Sequence, residues 1–282
     1  MAIALTEPFQ PASVVIAPSR GWVSLRLAEL WRHRSLLYFL VWRDVKVRYK
    51  QTALGVLWAV LQPVFMMAIF TLVFGRLARM PSDGIPYPVF AYCGLLPWQL
   101  FAYALTESGN SVVNSQQLIT KVYFPRLVIP LAAVLGGVVD FGIAFTVLLG
   151  LMAMYGLVPG PSIVAIPGFV ALAITTALGV GLWSSALNVR YRDVRYTMPF
   201  LVQAWMFASP IVYPSSLVPA SWRVWYGLNP MAGVIEGFRW VLLGAPRPPL
   251  ALLAASSAVA VALLISGLYY FRRMERTFAD VV

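Results

Sequence analysis

The chain has 282 residues, of which 60% are hydrophobic and only 11% are charged. In soluble domains about a quarter of all residues are charged. The composition therefore excludes an ordinary soluble enzyme and indicates a polytopic membrane protein. The net charge of +11 fits the basic cytoplasmic loops of such a protein and requires no nucleic-acid partner. One cysteine and one histidine exclude an internal disulfide framework and a cysteine-rich metal site.

The first 50 residues divide into two parts. Residues 1–20 contain three prolines and no basic residue before Arg20, which predicts a loose tail and no secretory signal. Residues 21–50 predict a cytoplasmic amphipathic helix in the headgroup layer, because aromatic and aliphatic side chains share one face beside a row of cations. This helix either anchors the first span or has a function of its own. The predicted face holds Tyr38, Val41, Trp42, Val45 and Tyr49, and the cations are Arg43, Lys46 and Lys50.

Stretches without charge locate the membrane spans, since about 30 Å of hydrocarbon takes about 20 helical residues to cross. The expected fold is all-α, with six transmembrane helices between residues 51 and 271 and a cytoplasmic tail over 272–282. The third span contains Asp140 and a Gly136–Gly137 pair, and is interpreted as one tilted or kinked helix. The predicted spans are 54–74, 88–105, 127–157, 163–187, 197–213 and 250–271.

The distribution of Lys and Arg predicts the orientation of these spans. With the N-terminus inside, the cytoplasmic segments hold sixteen basic residues and the opposite side holds five. Cytoplasmic loops carry the excess of basic residues in membrane proteins. Both termini are therefore predicted to be cytoplasmic.

Residues 214–249 do not fit a simple span. The apolar stretch 228–243 contains Glu236 and Arg239 three residues apart, and each charge would cost about 3 kcal/mol at the centre of a membrane helix. A further span would also place the basic C-terminal cluster outside. We expect a short re-entrant helical hairpin that enters from the outer face, and the alternative is an amphipathic helix on the outer surface.

Asp140 is the one acid inside a predicted span. Such a residue is either a functional group, for example a proton or cation ligand, or a structural one that forms hydrogen bonds inside the bundle. A proton-driven carrier usually has several ionisable residues in its spans and an internal repeat. This sequence has one such acid and no evident repeat, which favours the structural role.

Motifs for catalysis and nucleotide binding are absent from the sequence. The three lysines are followed by Val47, Gln51 and Val122, whereas the phosphate-binding loop of ATPases needs Ser or Thr after its lysine. No Gly-x-Ser-x-Gly, His-Glu-x-x-His or Asp-x-Asp sequence occurs. We expect no catalytic residue and no metal site, and the chain is not expected to be an enzyme.

Several short segments resemble the permease subunits of ABC-2 type polysaccharide exporters, which export O-antigen, capsule and teichoic acid. Each segment lies at a span boundary, and together they extend over about residues 36–246. They are 42–52, 54–63, 114–126, 188–194, 209–213 and 228–231.

The resemblance implies a homodimer of six-span subunits in the bacterial inner membrane, with a channel at its centre. Two copies of a separate ABC ATPase subunit would bind the cytoplasmic face and hold the ATP and Mg, so this chain itself needs no cofactor. The cargo would be a lipid-linked polysaccharide. The alternatives are an ABC-2 exporter of a drug or lipid, an ion-coupled secondary carrier and, third, a membrane-embedded enzyme.

The resemblance also implies three groups of site residues. The loop 114–126 would couple the permease to the ATPase, with Lys121 as a charged tip and Tyr123 and Phe124 as an apolar anchor, unless it is an ordinary basic loop. The helix up to Lys50 would gate substrate entry, with its cations at lipid phosphates or at the pyrophosphate of a lipid carrier. Aromatic side chains on the first and fifth spans would line the channel and stack on sugar rings, although aromatics also occur between helices. The coupling residues are Lys121, Val122, Tyr123, Phe124 and Arg126; the gate cations are Arg43, Lys46, Arg48 and Lys50; the channel candidates are Trp58, Phe65 and Trp205.

Overall fold

The computed structural model describes residues 27–50, 55–219, 222–275 and 278. Within these ranges every regular element is a helix, as the composition predicts. The predicted tail 1–20, the start of the segment 21–50 and most of the tail 272–282 lie outside the described residues. The helices are α1 (Leu27–Arg32), α2 (Arg34–Lys50), α3 (Gly55–Phe70), α4 (Tyr87–Asn114), α5 (Gln116–Lys121), α6 (Val128–Met154), α7 (Ile166–Arg190), α8 (Val194–Phe207), α9 (Arg223–Tyr226), α10 (Pro230–Leu243) and α11 (Leu250–Met274).

Five helices of the described part are long and apolar enough to cross a membrane. They are α3 with its π-helical continuation Thr71–Leu77, α4, α6, α7 with the preceding 3₁₀ turn Pro161–Ala165, and α11. They correspond to the first four predicted spans and the last one. The α4 helix extends nine residues past the predicted end at residue 105, because Glu107 does not stop it and its last turns pack on α7.

The predicted fifth span is shorter in the structure. The α8 helix has 14 residues, about 21 Å at 1.5 Å per residue, which is less than the hydrocarbon thickness. It ends at Phe207, before Ser209 and Pro210, because a proline removes a backbone donor and disfavours the helical conformation of the residue before it. The predicted range 197–213 therefore combines a short helix with a turn, and the six-span count is not confirmed.

The α4 helix is the central element of the bundle. In the apolar 18-residue stretch of α4, 78% of the residues are buried, whereas in that of α3 and its continuation only 11% are buried. It packs most extensively against α7 and α6, and also contacts α10, α3 and α8. Close approach depends on small residues: a Cβ on Gly181 of α7 would lie 2.5 Å from the Ser108 hydroxyl of α4.

The α10 helix lies inside the bundle, packed among α4, α7 and α11. Asn229 caps its start by accepting a hydrogen bond from the Met231 amide at 3.1 Å, and Gly244 ends it in the left-handed conformation at φ 67°. Twelve of its fourteen residues are buried. A surface amphipathic helix would bury one face only, so the packing does not agree with that alternative.

Candidate functional site

A cavity of about 920 Å³ opens between the end of α2 and helices α3, α4 and α6. The charged side chains Arg48, Glu107 and Asp140 line the end nearest α2, and the rest of the lining is mainly apolar but includes the amides Gln62 and Gln99. Among the predicted site residues, Arg48 and Trp58 line this cavity, together with Asp140.

An ion pair between Arg48 and Asp140 joins α2 to α6 at the polar end of the cavity. The same carboxylate accepts a hydrogen bond from the Tyr49 hydroxyl, and Arg48 also donates to the Tyr103 hydroxyl of α4. The Arg48 guanidinium lies 4.4 Å from the centre of the Tyr103 ring. Asp140 is thus engaged by both an ion pair and a hydrogen bond, in agreement with its interpretation as a structural acid.

The titration of Tyr49 reflects this environment. Burial, followed by the hydrogen bond to Asp140, raises the pKa of Tyr49 to about 12. The hydroxyl therefore stays protonated at neutral pH and remains a donor to the carboxylate. Tyr49 and Arg48 together fasten the end of α2 to the transmembrane bundle.

The Gly136–Gly137 pair allows α4 and α6 to come close together beside this cluster. A Cβ on Gly137 would lie 2.5 Å from a carbon of the Tyr103 ring, closer than any side chain permits. The α6 helix continues through the pair from Val128 to Met154. The two glycines are therefore a contact point that places Tyr103 next to Arg48.

The other three predicted gate cations point away from the cavity. Arg43, Lys46 and Lys50 are exposed; Arg43 pairs with the adjacent Asp44 at 2.8 Å, and Lys46 lies 5.4 Å from the centre of the Trp42 ring. The predicted aromatic face is divided: Val45 is buried, whereas Tyr38 and Trp42 are exposed. The helix thus buries Leu40 and Val45, turns Arg48 and Tyr49 towards Asp140, and exposes Tyr38, Trp42 and these three cations.

The coupling segment consists of the short helix α5 and an extended stretch before α6. Lys121, Val122 and Tyr123 are exposed, Tyr123 at 95%, whereas Phe124 is 6% exposed and belongs to the core. The chain leaves α5 at Val122, whose backbone is extended at φ −131° and ψ 132°. Because Tyr123 is exposed and Phe124 is buried, the two rings do not form a joint apolar anchor.

Arg126 fixes the end of this segment to the end of α11. Its backbone amide donates to the Glu275 carboxylate at 3.3 Å, and its guanidinium donates to the Glu275 carbonyl. Arg272 donates to the same carboxylate at 2.7 Å. No local sequence pattern indicates this link, because Arg126 and Glu275 are 149 residues apart.

The three channel candidates have different surroundings. Trp58 and Phe65 of α3 are 56% and 61% exposed, and Trp58 also lines the cavity. Trp205 of α8 turns inward: its indole nitrogen donates to the Asn229 side chain at 2.8 Å, and its ring lies edge-on to Phe101 at 4.9 Å. The channel role of all three depends on a second copy of the chain and stays a prediction.

Sequence reasoning missed a buried charged cluster around Arg239. This side chain is 1% exposed and donates to the Glu236 carboxylate at 3.1 Å and to the carbonyls of Ile211 and Tyr213 at 2.8 and 3.4 Å. It thereby fastens the turn after α8 to α10. The i, i+3 spacing of Glu236 and Arg239 was the only signal in the sequence, and it could not show the partners from the turn.

The described residues contain no group of three or more His, Cys, Asp or Glu side chains placed to hold a metal ion. The clusters around Arg48 and Arg239 consist of ion pairs, hydrogen bonds and aromatic contacts. Such an arrangement can bind and orient a ligand.

Comparison with known proteins agrees with this architecture. The ABC-2 type transporter family matches residues 35–243. The chain is 31% identical over 257 residues to the O-antigen export system permease protein RfbA of Myxococcus xanthus, covering 90% of this chain and 98% of that protein. It is 31% identical over 250 residues to RfbA of Klebsiella pneumoniae, covering 88% and 95%, and 24% identical over 200 residues to the polysialic acid transport protein KpsM of Escherichia coli, covering 69% and 76%. The chain is therefore a member of the ABC-2 type transporter family.

Proposed function

We propose that this chain is the transmembrane permease subunit of an ATP-driven exporter that moves a lipid-linked, O-antigen-like polysaccharide across the bacterial inner membrane. The observation that carries the proposal is the match to an O-antigen export permease over 98% of that protein's length. The name of another relative, a polysialic acid transport protein, also specifies a polysaccharide as the cargo. The five apolar helices support a multi-pass membrane location.

A separate ATPase would supply the energy, in two copies bound to a homodimer of this chain. The sequence has no lysine followed by Ser or Thr, so the nucleotide and its Mg belong to the partner. The exposed residues Lys121, Val122 and Tyr123 support the segment 114–126 as the docking element. Phe124 and Arg126 would hold that element in place from inside the bundle.

A sixth crossing would be made by α8 together with the turn 208–213. The α10 helix would then be re-entrant. In support, Ser256, six residues into α11, donates to the Gly227 carbonyl just before α10 at 3.0 Å, whereas Ser162 of the loop before α7 donates to Val241 near its end at 3.1 Å. The start of α10 thus lies deeper than its end. This topology returns both termini to the cytoplasm, as the distribution of Lys and Arg predicts.

Export would begin at α2 and proceed between two copies of the chain. The exposed cations Arg43, Lys46 and Lys50 would meet the phosphates of lipids or of the lipid carrier, each with about 1 kcal/mol near an anionic surface. Trp58 and Phe65, exposed on α3, would face the channel and stack on sugar rings. Sugar stacking tolerates sliding, which a pore for a long polymer needs.

A deletion and complementation experiment tests the proposal. Removing the gene should leave the polymer inside the cell, and the intact chain with its ATPase should restore surface polymer. Restoration should fail with an ATPase variant that binds but does not hydrolyse ATP. Export that persists without hydrolysis and follows an ion gradient would favour the secondary carrier, and normal surface polymer in the deletion strain would favour a drug or lipid as cargo.

A further inference from the structure

The exposed face of α3 carries one amide among apolar side chains. Trp58, Gln62, Phe65 and Ile69 are exposed and follow one another at intervals of four, three and four residues, so they share one side of the helix. Gln62 makes no hydrogen bond within the described residues. An amide without a hydrogen-bond partner is unfavourable in hydrocarbon, which indicates that this face meets something other than lipid.

A second amide without a partner lines the same cavity from α4. Gln99 and Gln62 both belong to the cavity lining, and the Gln99 side chain also makes no hydrogen bond in the part of the chain that the structure describes. Tyr103 and Thr106 lie four and seven residues further along α4 and line the cavity too. The α4 helix therefore presents a row of amide and hydroxyl groups to this space.

The chemistry of the lining matches a sugar. An amide both donates and accepts hydrogen bonds, as a sugar hydroxyl does. Arg48 and Asp140 bind each other, so hydrogen bonds to a ligand fall mainly to the amides. Trp58, one turn before Gln62, is exposed and lines the cavity as well, and its ring offers an apolar face. The volume of about 920 Å³ lies within the range of about 300–1,000 Å³ that ligand sites occupy.

On the basis of the proposed function, we propose that Gln62 and Gln99 bind the hydroxyl groups of the polysaccharide as it passes, while a sugar ring stacks on Trp58. The cavity is then part of the export path, and the two amides form its hydrogen-bonding side beside the aromatic one. Direct packing of a second copy on Gln62 would require the two helices to approach closely. The open space beside Gln62 favours the cargo over such a contact.

Thiol labelling in cells tests the proposal, because the one cysteine of the chain, Cys93, is buried. Gln62→Cys and, separately, Gln99→Cys are expressed with the ATPase in a strain that makes the polysaccharide and in one that lacks its synthesis. N-ethylmaleimide reacts with thiolates, which form in contact with water, and should label both cysteines in the second strain. Passing polymer should lower the labelling rate about fivefold in the first strain, as for a site that is occupied most of the time. Val158→Cys, in the exposed loop after α6, should be labelled equally in both strains.

Each alternative gives its own result. No labelling of either cysteine in either strain would place the amides against lipid, and a Gln62→Cys disulfide between two chains on oxidation would place this residue against a second copy. Equal labelling with and without the polysaccharide would remove the cargo from the cavity. Any of these results would overturn the proposal, whereas restoration of surface polymer by the unmodified chain tests the proposed function separately.

A double substitution measures the contribution of the two amides to export. Gln62→Leu with Gln99→Leu keeps the side-chain size and should slow export of newly made polymer about tenfold, because two hydrogen bonds to the sugar are lost. The ATPase should still co-purify with this variant. Thr146→Val is the control, since Thr146 is exposed on α6 outside the cavity and its hydroxyl donates to the Ile143 carbonyl of its own helix at 2.7 Å. Equal export rates for the double variant and the control would contradict the proposal.

Discussion

The guanidinium group of Arg239 lies 3.6 Å from the centre of the Phe90 ring. This contact places a cation from α10 on an aromatic face of α4, the most buried of the five long helices. The same guanidinium binds the carbonyls of Ile211 and Tyr213 and the carboxylate of Glu236. Arg239 therefore joins three parts of the chain that are separate in sequence.

Arg239→Met should lower the free energy of unfolding by about 3–5 kcal/mol, the typical cost of removing one partner from a buried charge pair. The change removes the guanidinium donor from the Glu236 carboxylate, which keeps only the Ser215 amide at 3.4 Å, and from the carbonyls of Ile211 and Tyr213. Thermal unfolding of the purified chain in detergent measures the loss. Arg247→Met is the matched control, since Arg247 is exposed; equal unfolding temperatures for the two variants would show that the cluster does not hold α10.

The ion pair of Arg48 and Asp140 should show energetic coupling in a double-mutant cycle. With both side chains slightly over one quarter exposed, we expect a coupling of about 1 kcal/mol between Arg48→Met and Asp140→Asn. The exposed pair of Arg43 and Asp44 is the control and should give a coupling near zero. Additive effects of the Arg48 and Asp140 substitutions would mean that their contact contributes nothing to stability.

Tyr123→Ala and Phe124→Ala should have opposite consequences. Phe124 is buried, so its truncation should cost about 3–5 kcal/mol of stability. Tyr123 is exposed, so its truncation should change stability by less than about 0.5 kcal/mol and weaken association with the ATPase. Unfolding temperature and co-purification of the ATPase distinguish the two effects, and full ATPase binding by Tyr123→Ala would remove this residue from the docking element.

The raised pKa of Tyr49 predicts a pH dependence of stability. The pKa is about 12 in the folded chain against an ordinary value of 10.0, so the protonated hydroxyl stabilises the fold below pH 10, and this contribution is lost as the pH rises through about 12. Between pH 10 and 12 the free energy of unfolding should fall more steeply with pH for the unmodified chain than for Tyr49→Phe. Parallel curves would contradict the raised pKa.

The sequence predicted the long spans well, because a charge-free stretch of about 20 residues has few other uses in a protein of this composition. The α4 helix continues past Glu107 to Asn114, since one carboxylate on a cavity wall does not stop a helix. The predicted fifth span is not confirmed as one continuous helix, because α8 ends before Pro210 although the apolar pattern continues. Hydropathy predicts whether a segment prefers the membrane to water, but it does not predict the backbone geometry of that segment.

The candidate site was predictable only in part for a related reason. Local patterns identified the cations of α2 but could not tell which of them pairs with Asp140, because that pairing depends on the glycine contact that brings Tyr103 to α6. The sequence also treated Tyr123 and Phe124 as one apolar pair. In the structure one ring is exposed and the other is buried, which the residue types alone did not indicate.

The link between Arg126 and Glu275 has a mechanical consequence. If the ATPase moves the segment before α6, the same displacement reaches the inner end of α11 directly, without passing through the rest of the bundle. The α11 helix packs tightly on α7, where a Cβ on Gly267 would lie 2.4 Å from the Gly179 carbonyl oxygen. A displacement of this one cytoplasmic loop would thus move α6 and α11, the third and last long helices, together. The permease would then respond to the ATPase with both helices at once and not one helix at a time.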